Sequence, residues 1–188
     1  MARLELPPED AMTPEQKAAV AEVVAGIRGR VPAPMVAWLR SPELASRAQK
    51  LGEFLRYGTT LEPKLSEMAI LVCGRHWTSH HEWTAHKREA LKAGLEPEVI
   101  AAIAARRRPA LADARESAVY EVSTTLLSTG RVPRALHDSA TAALGGQGLV
   151  ELVGILGYYC LVSLTLNAFE LGLPGSIAPE LEDPAPMG

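Results

Sequence analysis

Acidic and imidazole side chains are concentrated in one short stretch of this chain, Ser79-His80-His81-Glu82-Trp83-Thr84-Ala85-His86. If the stretch is helical, each residue advances by about 100° around the helix axis. Ser79, Glu82 and His86 then fall within about 60° of one another on one side of the helix. A carboxylate and an imidazole one turn apart can exchange protons near neutral pH. The spacing therefore predicts an acid/base site, although a solvent-exposed ion pair would explain it equally well.

A second carboxylate, Glu67, lies in the preceding predicted helix, beside the apolar positions Leu65 and Met68. An ionisable group next to an apolar face is costly unless it has a partner or a function. Burial raises the pKa of a carboxyl group, and a neighbouring carboxylate keeps an imidazole protonated near neutral pH. We therefore predict Glu82, His86 and Glu67 as the catalytic residues.

The histidines do not have the spacing of a zinc protease helix, in which two histidines lie four apart with glutamate directly after the first. His81 and His86 lie five apart, about 140° around a helix, and cannot bind one metal from a straight helix. His76 and His80 do have the four-residue spacing, but no third ligand is evident. The sequence thus predicts no metal site, and it leaves four histidines without a role: His76, His80, His81 and His137.

Composition and helix signals predict an all-α fold. Aromatic residues make up only 5% of the chain, and no segment alternates apolar and polar residues as a strand would. Thr13-Pro14-Glu15-Gln16 has the pattern of a helix start, and the first helix should run to about Arg28. We predict seven to nine helices, with a long apolar helix from about Leu149 to Leu171 at the centre, preceded by a break at Gly145-Gly146.

The length of 188 residues fits one domain. We predict a single helical domain over residues 1–172 and a proline-rich C-terminal arm over residues 173–188, extended or disordered. A net charge of −3 and a pI near 6.0 argue against a nucleic-acid partner.

The segment from Leu152 to Phe169 contains eighteen residues without a formal charge, the lower length limit for a membrane-spanning helix. Because Glu151 and Glu170 flank it and polar residues interrupt it, we predict a helix buried in the core or in a subunit interface, with no membrane contact. The first residues, Met1 to Pro8, lack the apolar core of a secretory signal, so we expect a cytoplasmic protein.

The two cysteines, Cys73 and Cys160, lie 87 positions apart, each within an apolar helical pattern. We expect them to be small buried hydrophobic residues, and this reading is preferred to a disulfide or a redox pair.

Glu67, eleven intervening residues and the motif Ser79-x-x-Glu82-x-x-x-His86 resemble the signature of the carboxymuconolactone decarboxylase family, within the alkylhydroperoxidase D-like superfamily. The form Glu82-Trp83-x-x-His86 resembles its decarboxylase-like, non-redox branch. In the redox branch, two cysteines in a CxxC pair hold the places of Ser79 and Glu82, and this sequence has neither.

The resemblance covers roughly residues 34 to 170, since Ser41-Pro42-Glu43-Leu44 and Gly157-Tyr158-Tyr159 also resemble the family pattern. It implies the alkylhydroperoxidase D-like helical fold, a symmetric homotrimer or homohexamer, and decarboxylation of a small lactone or β-keto acid without a cofactor. In that reaction His86 would transfer the proton, Glu82 would position the imidazole, and Glu67 would supply a supporting hydrogen bond or hold a proton.

Four further residues are candidates for substrate binding. Ser79 could donate a hydrogen bond to the substrate, and Trp83 borders the same stripe, where it either shields the site from water or packs in the core. Tyr158 and Asn167 are polar groups in an apolar helix and therefore need partners, which a pocket or the core could supply.

Two other functions stay open besides a carboxy-lyase-like acid/base enzyme. One is a non-catalytic binding or assembly protein that kept the fold. The other is alkylhydroperoxidase activity, which is disfavoured because serine and glutamate cannot replace a thiol pair in peroxide reduction.

Overall fold

The computed structural model describes residues 2–173 and 175–183. Within them the chain forms eight α-helices, a short 3-10 helix at Glu9–Ala11 and no β-strand. The all-α class and the number of helices in the described residues are thus as predicted. The helices are α1 (Pro14–Ala25), α2 (Met35–Trp38), α3 (Pro42–Tyr57), α4 (Pro63–His76), α5 (His80–Lys92), α6 (Pro97–Ala104), α7 (Ala114–Thr129) and α8 (Arg134–Ala168).

Helix α1 begins as predicted but ends three residues early. The Thr13 hydroxyl accepts a hydrogen bond from the Gln16 backbone N–H, and the Gln16 side chain accepts one from the Thr13 N–H, so both groups cap the helix. The helix ends at Ala25, and the chain turns through Gly29 at φ 64°, a conformation that glycine adopts without strain. This early end places Arg28 in a turn rather than in the helix.

Helix α4 is the centre of the fold. Every residue from Leu65 to Arg75 is buried, because α5, α7 and α8 all pack against this helix. Because other helices surround α4, most of its residues are apolar. Glu67 is an acidic residue within this buried helix. A carboxylate at this position must find its partner inside the protein.

Helix α8 is broken at Gly145, whose φ of 74° and ψ of 163° are not helical, so the predicted break lies inside one long element. The part after the break is apolar enough to cross a membrane by length and composition, with a mean hydropathy of 1.9, but 61% of that window is buried inside the fold. Val150, Val153 and Leu164 are exposed, so one chain alone does not bury every side of this helix, and burial of the remaining side in a subunit interface stays a prediction.

The described part of the C-terminal arm, residues 173 and 175–183, is extended and lies against the helical body. Leu181 is buried, the Glu180 carboxylate pairs with Lys87, and Asp183 contacts His80 Nε2 at 2.8 Å. These contacts hold the arm on α5. Pro174 and residues 184–188 of the predicted arm lie outside the described residues.

Candidate acid/base site

Helices α4 and α5 bring Glu67, Glu82 and His86 into direct contact. The His86 Nδ1 atom lies 2.6 Å from Glu67 Oε2, and its Nε2 atom lies 3.2 Å from Glu82 Oε2. Only a protonated imidazole has an N–H on both ring nitrogens, so the imidazolium form can donate to both carboxylates at once. The two acids therefore stabilise positive charge on His86.

The three side chains are shielded from solvent, since Glu67 and Glu82 are each 6% exposed and His86 is 4% exposed. Burial alone would lower the pKa of His86, but the hydrogen bonds to Glu67 and Glu82 outweigh it and raise this pKa to about 9. Burial would raise the pKa of Glu82, and the hydrogen bond from His86 outweighs that effect and lowers it. His86 is thus an acid, and Glu82 a carboxylate, at neutral pH.

Two tyrosines from α8 form the aromatic wall of the site. The rings of His86 and Tyr159 meet edge to face with centroids 5.0 Å apart, and Tyr158 stacks on Tyr159 in the same way at 5.4 Å. Burial raises the pKa of Tyr159 well above its ordinary value, so its hydroxyl stays neutral. The wall keeps water from the imidazole without adding charge.

A small cavity of about 70 Å³ opens beside this cluster. The lining of this inner cavity includes Glu82 and His86, both tyrosines of the aromatic wall, and three arginines, Arg28, Arg30 and Arg56. A second cavity of about 220 Å³ adjoins it, shares the three arginines and is also lined by Glu89. Glu67 does not line either cavity and lies behind the imidazole. A molecule in the inner cavity would meet Glu82 and His86 on one side and guanidinium groups on another.

The charges around the cavity favour a bound anion. When Glu67 and Glu82 are ionised, His86 and Arg56 balance them, and Arg56 Nε lies 4.0 Å from Glu67 Oε1. Arg28 adds a further positive charge and acts on the Tyr158 hydroxyl. Burial raises the pKa of that hydroxyl, and Arg28 lowers it against this larger effect. The Nε and Nη2 atoms of Arg28 are buried and make no hydrogen bond of ordinary geometry with the described residues. Buried donors of a guanidinium group are costly unless something accepts their hydrogen bonds, and a carboxylate accepts two from one guanidinium.

Neither Arg28 nor Arg56 was identified from the sequence. Arg28 comes from the turn after α1 and Arg56 from the last turn of α3, and no motif links either residue to the stretch around His86. Only the packing of these elements against α5 and α8 places both guanidinium groups at the cavity.

The predicted substrate-binding residues are dispersed in the structure, and Tyr158 alone lines the inner cavity. Ser79 precedes α5 as its N-cap, is 0% exposed, and has no hydrogen-bond partner for its hydroxyl among the described residues. Trp83 is buried but faces a larger cleft beside Lys87. Asn167 is exposed and donates to the Trp77 carbonyl at 2.8 Å. Asn167 thus lies on the outward side of α8 in the single chain, away from the residues that line the inner cavity, and its role in substrate binding stays a prediction.

The spacing of His76 and His80 does not give a pair on one helix. Helix α4 ends at His76, α5 begins at His80, and Thr78 between them has a φ of 48°. His81 lines the inner cavity, and His137 is exposed beside Asp138. Over residues 2–173 and 175–183, no group of three or more potential metal ligands is found.

Two larger clefts, of about 730 and 760 Å³, lie elsewhere on the molecule. The first runs between α5, α6 and the C-terminal arm, and the second between α1 and α3. Neither is lined by a buried acid/base pair. The smaller cavity beside His86 is therefore the candidate active site, because a catalytic site is identified by the acid and base groups that line it and not by its size.

Comparisons with known proteins agree with the fold and the motif. The model of the carboxymuconolactone decarboxylase family matches residues 42–125, which include Glu67, Glu82 and His86. Comparison with curated proteins gave no match.

Two solved structures share the fold over 93% of this chain and 93% of their own. One is an alkylhydroperoxidase AhpD core, a peroxidase-related protein from Ralstonia eutropha JMP134, with 13% identity and a TM-score of 0.74. The other is a peroxidase-related protein from Silicibacter sp. TM1040, with 14% identity and a TM-score of 0.73. Residues 42–125, which carry the motif, are thus similar to the carboxymuconolactone decarboxylase family, and the chain has the fold of the two solved structures.

Proposed function

We propose that this protein is a cofactor-free acid/base enzyme that decarboxylates a small carboxylic acid or lactone, or carries out a related proton transfer. The observation that supports the proposal is the buried contact of His86 with Glu67 and Glu82 at a small cavity lined by Arg28 and Arg56. A structural ion pair would need neither the cavity nor the additional guanidinium charge. The name of the family also fits a carboxylated lactone as the substrate.

Decarboxylation leaves the electron pair of the broken C–C bond on the substrate, and the enzyme must stabilise this negative charge until the carbon is protonated. As the carboxylate leaves as carbon dioxide, the electron pair of the C–C bond moves into an enolate. Arg28 and Arg56 can stabilise the enolate oxygen, because they are fixed donors in a site with little water. The His86 imidazolium then protonates the carbon and regains its proton from solvent.

The two carboxylates have different roles in this proposal. Glu82 lines the cavity, holds Nε2 of His86 and is close enough to a ligand to exchange a proton with it. Glu67 lies behind the ring and holds Nδ1, so it is a positioning residue that fixes the imidazole and keeps it charged. We assign substrate binding to Tyr158, Arg28 and Arg56, which line the inner cavity. The positions of Ser79, Trp83 and Asn167 outside this lining do not support a substrate-binding role for them.

Exposed apolar residues favour self-association, and we propose a cytoplasmic homotrimer or homohexamer. Val150, Val153 and Leu164 on α8 and Leu51 and Phe54 on α3 are all at least 44% exposed. A monomer rarely leaves so many large apolar side chains in water. The same surface would serve a non-catalytic assembly protein, so it does not by itself distinguish the two functions.

A carbon dioxide release assay tests the proposed activity. Carboxymuconolactone and a simple β-keto acid, acetoacetate, serve as probes for the wild type, for His86→Gln and for His137→Gln, a control on the exposed surface. We expect the wild type to release carbon dioxide from at least one probe, His86→Gln to lose about a hundredfold or more in rate, and the control to be unaffected. Equal rates for His86→Gln and the wild type would refute the role of the imidazole.

A further inference from the structure

The two cysteines, predicted to be independent buried residues, are in contact. Cys73 on α4 and Cys160 on α8 place their sulfur atoms 3.8 Å apart, although they are 87 positions apart in the chain. Both are free thiols. The contact arises because α4 and α8 pack against each other. The sequence gives no sign of it, since each cysteine lies in an ordinary apolar pattern.

The two thiols differ in exposure and in pKa, so that one can attack as a thiolate while the other stays protonated. Cys160 is partly exposed, whereas Cys73 is 0% exposed. The Trp77 indole N–H donates to the Cys160 sulfur at 3.2 Å, a contact that favours the thiolate. Hydrogen bonds from Cys73 and Trp77 outweigh partial burial and lower the pKa of Cys160 to about 6. The contact with Cys160 and burial both raise the pKa of Cys73, so its thiol keeps its proton.

We propose that Cys160 and Cys73 form a redox site, separate from the acid/base site, in which a hydroperoxide oxidises Cys160 and Cys73 then closes an intramolecular disulfide. Cys160 is the attacking group because it is the less buried of the two cysteines and receives the Trp77 hydrogen bond. Cys73 is the resolving group because its sulfur is the neighbouring thiol at contact distance. The site uses neither Ser79 nor Glu82, the two positions that hold cysteines in the redox branch.

The chemistry balances without another reactant. The Cys160 thiolate attacks the terminal oxygen of the hydroperoxide, the O–O bond breaks, and the departing alkoxide takes a proton to become an alcohol. Cys160 is then a sulfenic acid. The Cys73 sulfur attacks the Cys160 sulfur and loses its proton, and the hydroxyl group leaves as water. Two thiols thus supply the two electrons that reduce one hydroperoxide.

Disulfide formation requires only a small movement. A disulfide bond is about 2.0 Å long, so the two sulfur atoms must approach by about 1.8 Å from their present separation. Both cysteines lie within regular helix, Cys73 in α4 and Cys160 in α8. A change of side-chain torsion at Cys160, the less buried residue, is the expected route. A reducing dithiol should reopen the bond.

Intact-mass measurement after treatment with hydrogen peroxide tests the proposal on the folded full-length chain. One equivalent should lower the mass by about 2 Da, the two hydrogens lost on disulfide formation, and peptide mapping should join Cys73 to Cys160. Dithiothreitol should restore the original mass. Retention of both thiols in the treated wild type would overturn the proposal, as would a disulfide that joins two copies of the chain.

Two variants separate the roles of the sulfurs. In Cys73→Ser, the sulfenic acid at Cys160 should persist and react with dimedone, because the resolving thiol is gone. In Cys160→Ser, Cys73 should remain a free thiol under the same treatment, because it is buried and protonated. Oxidation of Cys73 in the second variant at the wild-type rate would show that Cys160 is not the attacking group.

Discussion

Replacing Glu67 by glutamine should lower the pKa of His86 by about two units, towards or below 7. The two carboxylates together raise this pKa from an ordinary 6.5 to about 9 against the opposing effect of burial. Glu67 makes the shorter contact, 2.6 Å against 3.2 Å for Glu82, so it should contribute more than half of the increase. Two units correspond to about 2.7 kcal/mol of lost preference for the imidazolium.

The measurement is an NMR titration of the histidine ring nitrogens between pH 5 and 10. The signal of His86 is the one that disappears in His86→Gln. Glu43→Gln is the matched control, since it makes the same chemical change at an exposed ion pair with Arg47. In the control, His86 should titrate as in the wild type.

Two results would refute this reasoning. A wild-type pKa near 6.5 would mean that the imidazole is not held as a cation between two carboxylates. An unchanged pKa in Glu67→Gln would mean that Glu67 does not control its charge. A mere loss of folding cannot imitate the expected result, because the titration is read on the folded protein.

The structure makes three further predictions. Because the pKa of His86 is higher in the folded than in the unfolded chain, its stabilisation of about 3 kcal/mol is present below pH 6.5 and lost as the pH rises through 9. Urea unfolding of the wild type and of His86→Gln at pH 6 and pH 9.5 isolates this contribution, and the same pH dependence in both proteins would contradict it. Gly52→Ala should lower the free energy of unfolding by about 1 to 3 kcal/mol, because the added methyl group would lie 2.1 Å from the Tyr158 hydroxyl. Gly157→Ala is the control: its methyl group would have no atom within 4 Å, so thermal unfolding should show an unchanged or higher stability. Arg28→Gln should raise KM for an acid substrate about tenfold or more with a smaller change in kcat, and an unchanged KM would remove this residue from substrate binding.

Short-range sequence patterns were enough to predict most of the helices and the three residues Glu67, Glu82 and His86. The cap at Thr13, the spacing from Glu82 to His86 and the buried position of Glu67 all depend on residues within one or two helical turns. Such short-range signals can be read directly from the order of residue types. They predicted the helical class, which the structure shows, and they singled out three residues that the structure brings into contact, whose catalytic role stays a prediction.

The remaining features depend on packing between distant elements. Arg28 reaches the cavity because α1 ends early, and Cys73 meets Cys160 because α4 packs on α8. Helical periodicity gives the angle of a residue around its own helix, but not the neighbour that this face meets. For the same reason the sequence does not show that the side of α8 that carries Asn167 faces outward in the single chain.

The most direct test of the central claim is the origin of the proton that the product receives. The reaction is run in deuterium oxide with carboxymuconolactone or acetoacetate, and NMR follows deuterium at the carbon that is protonated. In acetoacetate this is the carbon that lost the carboxylate, and in the lactone it is the carbon next to the ring carbonyl. The proposal predicts one deuterium per turnover with the wild type and a loss of about a hundredfold or more in its rate of incorporation with His86→Gln. Incorporation by His86→Gln at the wild-type rate, or no enzyme-dependent incorporation from either probe, would contradict it.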